Sequence, residues 1–185
     1  MTTSPLVRTA AVAAPVLLFG YGALRLIDGL DGHHDKGGLL WNAGHVMFFA
    51  AIALFGAMAV GVRRMLPWRD FGNRLAANLA TVAALAGMAA FLWVITGDLF
   101  RSFAEAAPLP DALQNIGPAL FEVGLLVLLV QLVRAHRLPA WSPVVVLLGF
   151  LLIPINLDLI PLAAATVFAG LLPLAGPRSA ARRAA

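Results

Sequence analysis

Apolar residues in this chain run in unbroken stretches instead of alternating with polar ones. The stretches fall at about 9–27, 39–62, 75–97 and 118–133, and a last block covers 142–176. Most of them reach the ~20 residues a helix needs to cross a hydrocarbon core of about 30 Å. Backbone groups in lipid must be satisfied internally, so helices or a closed barrel are the only spanning structures. Barrel strands alternate in polarity and these runs do not, which selects helices.

The last block needs a different reading. Its 35 residues would measure about 52 Å as one helix at 1.5 Å per residue. That is too long for one crossing. Its centre reads Pro154-Ile155-Asn156-Leu157-Asp158-Leu159-Ile160-Pro161. Proline breaks helices, and an aspartate at mid-membrane is costly. Two short helices, 141–155 and 159–175, joined by a tight Pro/Asn/Asp turn resolve both problems. The expectation is an all-α integral membrane protein: one domain over 1–185, a compact bundle of six transmembrane helices and a basic tail at 177–185. The alternative for 142–176 is one kinked or re-entrant segment.

Charge gives the crossings a direction. Arg8, Arg63, Arg64, Arg69, Arg74, Arg134, Arg137, Arg178, Arg182 and Arg183 fall on one side of the six-span pattern; Arg25, Lys36 and Arg101 fall on the other. Among the acids only Asp70 joins the basic side. Basic loops mark the cytoplasmic face, so both termini are expected there, with the chain in a cytoplasmic (inner) membrane. The net charge of +4 is therefore a topology signal, and no nucleic-acid partner is expected. The N-terminal stretch resembles a signal h-region, but it is long for one and its cleavage pattern is poor. It is read as a span.

Composition narrows the chemistry. The chain is 61% hydrophobic and only 12% charged, against about 25% charged in soluble domains. Arginine outnumbers lysine twelve to one and alanine is abundant, which points to a bacterial source. There is no cysteine, which excludes disulfides, thiolate metal sites and thiol nucleophiles. No phosphate loop, dinucleotide fingerprint or serine elbow is present. Gly20, Gly22, Gly56, Gly61 and Gly87 read as close helix packing.

The polar residues within or beside the spans gather at the non-cytoplasmic end. Trp41, Asn42 and His45 share one helix face by their spacing of four and three. Asp98 ends the third span, Glu122 lies about one turn into the fourth, and Asn156 and Asp158 occupy the last turn. An ionisable group inside a span is costly unless paired or wet, which makes it a functional candidate. The candidate ligand-binding set is Trp41, Asn42, His45, Asp98, Glu122, Asn156 and Asp158. His45 is expected to pair with Glu122 and act as a protonation switch, with Arg25 as a countercharge. The bland alternatives stand beside this. Glu122 could use the helix N-terminal dipole, His45 could bond a carbonyl, Asn156 and Asp158 could be plain turn residues, and Arg25 could snorkel.

Asp31, His33, His34 and Asp35 form a second cluster. A solvated loop is expected there, with a divalent metal as the alternative, and no cofactor otherwise. The functional expectation is a non-enzymatic protein whose outward-facing polar pocket binds or moves a small solute, ion or lipid. One alternative is an intramembrane enzyme acting on a lipid or isoprenoid, with His45, Glu122 and Asp98 as acid and base. The other is an accessory subunit of a membrane complex. Membrane lipid, a second copy or another membrane protein are the partners these readings imply.

Overall fold

The computed structural model describes residues 4–30, 32–33, 36–67 and 70–176. Among them every regular element is helical. The helices are α1 (Pro5–Asp28), α2 (Leu39–Met65), α3 (Phe71–Leu99), α4 (Arg101–Ala106), α5 (Asp111–Arg134), α6 (Trp141–Ile155) and α7 (Ile160–Ala175); a 3-10 turn, Leu157–Leu159, joins the last two. Five are long and apolar enough to cross a membrane: α1, α2, α3, α5, and α7 with its 3-10 turn; α6 is apolar but shorter. The chain is thus a helical bundle of membrane-protein character.

The long helices form a ring in the order α1, α2, α3, α5, α6, α7 and back to α1, and the α5–α6 seam is the most thinly packed. Small residues set the close crossings. A Cβ on Gly124 of α5 would stand 2.5 Å from the Ala80 carbonyl and the Ala84 amide of α3. One on Gly87 of α3 would press on the Phe121 amide and the Gly117 carbonyl of α5. Gly149 and Gly170 play the same part where α6 meets α7. Lipid tails are as apolar as leucine, so helices in a bilayer gain by such close approach, not by burying apolar area. The Ser142 hydroxyl adds a buried bond to the Gly170 carbonyl, 2.5 Å.

Neighbouring helices run in opposite directions, which brings the basic residues together. Arg8 Nε donates to the Ala175 carbonyl at 3.3 Å, joining the start of α1 to the end of α7. A Cβ on Gly61 would touch Val7, which places the end of α2 beside the start of α1. Arg63 Nε donates to Asn78 Oδ1 at 2.8 Å, and an Arg137 guanidinium nitrogen donates to the Met65 carbonyl. Arg69, Arg178, Arg182 and Arg183 lie outside the described residues.

The break within 142–176 falls where the Pro/Asn/Asp segment placed it. Asn156 Oδ1 accepts from the Asp158 amide at 2.9 Å and so closes the turn. α5, however, starts two turns earlier than the expected 118, at Asp111 behind Pro110. Pro118 therefore sits inside the helix instead of opening it. The segment between the apolar stretches 75–97 and 118–133 is largely helical as well: α4 folds there, and Trp93 Nε1 donates to the Ala107 carbonyl just beyond it, 2.8 Å.

Asp70 caps α3. Its Oδ1 accepts from the Asn73 amide at 2.8 Å and its Oδ2 from Asn73 Nδ2 at 2.5 Å. The backbone bond, more than any other contact, holds this carboxyl below the usual carboxylate range. A lowered folded-state value means the cap stabilises α3 above the ordinary carboxylate range and weakens as pH falls through the lowered value. Asp70→Ala should melt earlier than the parent at neutral pH, and the gap should narrow in acid. A gap unchanged down to pH 3 would show that the charge on Asp70 does nothing for the cap.

Candidate functional site

The candidate residues do not form one pocket. They divide between a tight polar cluster and an apolar cavity, with Tyr21 as a shared wall.

The cluster is built on α2. Trp41 and His45, one turn apart, stack with ring centroids 4.1 Å apart, and the Tyr21 ring meets the His45 ring edge-on at 5.2 Å. His45 is 4% exposed. Its Nδ1 lies 2.8 Å from the Trp41 carbonyl. A carbonyl only accepts, so Nδ1 carries the proton. That leaves Nε2 facing Asp98 Oδ2 at 3.6 Å. The partner of His45 is thus Asp98 on α3, and not Glu122 as the sequence suggests. Trp41 Nε1 donates to the Asp98 backbone carbonyl at 3.1 Å, which locks α2 to the end of α3. The gap within this cluster, bounded by Tyr21, Arg25, Asp28, Trp41, Gly44 and His45 and the adjoining Leu40, is about 10 Å³. That is room for one water at most. The cluster is a filled knot at the end of the bundle.

Three other candidates stay outside both sites. Asn42 is spent on its own helix start, with Nδ2 donating to the Gly37 carbonyl at 2.8 Å. Asn156 and Asp158 are exposed turn residues. Asp31, His34 and Asp35 lie outside the described residues, and His33 is exposed. Among the described residues no three His, Asp or Glu side chains stand close enough to hold a metal ion.

Glu122 faces something different. It lines a cavity of about 440 Å³ at the centre of the helix ring. The walls are Leu18 and Tyr21 of α1, Phe48, Ile52 and Phe55 of α2, Phe91 of α3, Phe121 of α5, Phe150 of α6 and Ile160 of α7. The rings form a continuous chain. Tyr21 stacks on Phe48 at 4.5 Å, Phe48 meets Phe91 at 5.9 Å, and Phe91 meets Phe121 at 5.7 Å. Phe55, Phe121 and Phe150 then close a triangle with sides of 6.0–6.2 Å. The mouth lies along the thin α5–α6 seam, where Asn115, Ala119, Pro154 and Leu157 line the cavity and are exposed.

Glu122 makes no hydrogen bond or ion pair among the described residues, and no Lys, Arg or His lines the cavity. The early start of α5 changes its meaning. From Asp111, Glu122 lies three turns into the helix instead of one. The dipole field fades within the first turn, so the helix end does not account for this carboxyl.

The aromatic lining was missed in the sequence, although α2 carries a signal for it. Trp41, His45, Phe48, Ile52 and Phe55 recur at spacings of four and three, which puts all five on one helix face. The first two belong to the cluster and the last three to the cavity.

No family model, curated protein or solved structure matches the chain.

Proposed function

We propose that this protein is a six-span membrane protein that takes an apolar or amphiphilic molecule from the bilayer into its central cavity, with Glu122 as the polar anchor. The observation that carries this reading is the cavity itself, about 440 Å³ with a mostly apolar wall that includes six aromatic rings and a mouth on the side of the bundle. Small-molecule sites are typically clefts of ~300–1,000 Å³ with a few placed polar groups. A mouth between two apolar helices meets lipid, so the ligand would arrive through the bilayer. The polar cluster then serves to hold α1, α2 and α3 together and to fix Tyr21 in the cavity wall.

The proposed orientation follows the charges. Arg8, Arg63, Arg74 and Arg137 gather at one end of the bundle, while Asp28, Asp98, Glu105 and Asp111 sit at the other. The positive-inside rule puts the first end, with both termini, in the cytoplasm of a bacterial inner membrane. The mouth then opens towards the outer leaflet.

Native mass spectrometry of protein purified in mild detergent tests the binding. A retained lipid or other apolar adduct is expected on the parent and absent from Ala119→Trp, which plugs the mouth from an exposed position. The melting temperature of that variant should stay within about 2 °C of the parent, as surface changes usually do. An adduct equally abundant on both proteins would place binding elsewhere.

A further inference from the structure

Resting on that cavity reading, we infer that its ligand is a lipophilic organic cation, a positive centre carried on aromatic or aliphatic groups. Two independent features of the cavity agree on the sign of the charge.

The first is the balance of donors and acceptors. Glu122 supplies a carboxyl with no partner among the described residues, and no basic side chain lines the space. Asn115 gives one of its two amide hydrogens to the Asp111 carbonyl at 2.9 Å, which leaves its oxygen to accept and one hydrogen to donate. Pro118 and Pro154, both in the lining, have no amide hydrogen, so the Gln114 and Phe150 carbonyls lose their helical i+4 donors. The side-chain donors in the lining are the Tyr21 hydroxyl and the remaining Asn115 amide hydrogen, and both are neutral. A phosphate or carboxylate would meet the Glu122 carboxyl with no cationic side chain in the lining to offset it. A cation finds its complement in that carboxyl and in the carbonyl oxygens.

The second is the aromatic wall. Ring faces carry negative quadrupole density, and a cation within about 6 Å of a ring centroid is attracted to it, most strongly when water is excluded. Tyr21, Phe48, Phe55, Phe91, Phe121 and Phe150 surround one space. A neutral lipid tail would be served as well by leucine and valine, which dominate the outward helix faces. Six rings stand instead around the Glu122 carboxyl, where their quadrupoles and its charge act on the same ligand. Bulk around the positive centre would fill the wide cavity and remove the hydration that a bare ammonium or metal ion would keep.

Equilibrium dialysis of the full chain in mild detergent, against a detergent-only blank, tests the inference with three probes of similar bulk. These are tetraphenylphosphonium, the anion tetraphenylborate and the neutral triphenylphosphine oxide. Saturable tetraphenylphosphonium binding is expected, at least tenfold tighter than either of the others. Glu122→Gln should weaken it at least tenfold and leave the neutral probe unchanged. Glu122→Asp, which keeps the charge, should retain most of it, and Ala119→Trp should abolish binding of both cation and neutral probe. If cation and neutral probe bind equally and Glu122→Gln alters neither, the cavity reading stands and the cation inference falls. Preference for the borate overturns it directly. If no probe binds above the blank, the cavity reading falls with it.

Discussion

Gly87→Leu should leave almost no folded protein. A side chain there would drive into the Phe121 amide and the Gly117 carbonyl of α5, and these are backbone atoms that cannot rotate away. Overpacking a well-filled interior costs about 1–3 kcal/mol when side chains can adjust. With backbone on the far side the cost should reach the upper end of that range or exceed it. The loss would spread, because Phe121 joins the ring chain that lines the cavity. Gly87→Ala should show a smaller effect of the same sign. Gly72→Ala is the control, since its nearest neighbour would be Asp70 Oδ1 at 3.5 Å. Size-exclusion recovery and melting temperature in detergent report the result. Recovery of Gly87→Leu at the parental melting temperature would mean that α3 and α5 do not cross this closely.

His45→Ala should be the second most damaging single change, by about 2–4 kcal/mol, the range for emptying a buried large side chain. Its ring is stacked on Trp41 and edged by Tyr21, and little of that packing can refill. The contact with Asp98 contributes less. Nε2 and Oδ2 stand 3.6 Å apart and the Asp98 side chain is 40% exposed, a setting in which such pairs give about 0–1 kcal/mol. The Trp41 carbonyl also lies at the helical i−4 position of the His45 amide, so losing the imidazole does not orphan it. Hence His45→Phe, which keeps a ring, should recover most of the loss, and Asp98→Asn should cost little. If Asp98→Asn matched His45→Ala, charge and not packing would hold this end of the bundle together.

Much of the fold was legible because spans in lipid obey few rules. The limits 141–155 and the start at Leu39 agree with α6 and α2, since Pro, Gly and Asn interrupt apolar runs without ambiguity. The start of α5 was misplaced because Pro118 resembles a first-turn proline, whereas Asp111 and Pro110 start the helix two turns earlier. That single shift moved Glu122 from a helix end to the middle of a wall. Helix register decided the partner of His45. Depth along a span can be read from sequence, but which of two carboxyls at a similar depth an imidazole faces depends on how α2 and α3 rotate about their axes. The aromatic cavity was hidden for the same reason. Phe48, Phe91, Phe121 and Phe150 come from four helices, and no local pattern joins them.

The short α6 carries a consequence for the surrounding lipid. Its 15 residues reach about 22 Å at 1.5 Å per residue, against a hydrocarbon thickness near 30 Å. If α6 is the sixth span, as proposed, that deficit of about 8 Å would be met by local thinning or by headgroups dipping towards the turn at Asn156. The dip would lie beside the mouth between α5 and α6. An amphiphile approaching from the outer leaflet could then keep its polar end near water almost until it reaches Glu122. On the proposed reading the protein would thin the membrane at the mouth of its cavity, and a thicker, sterol-stiffened bilayer would slow ligand entry without touching a residue of the site.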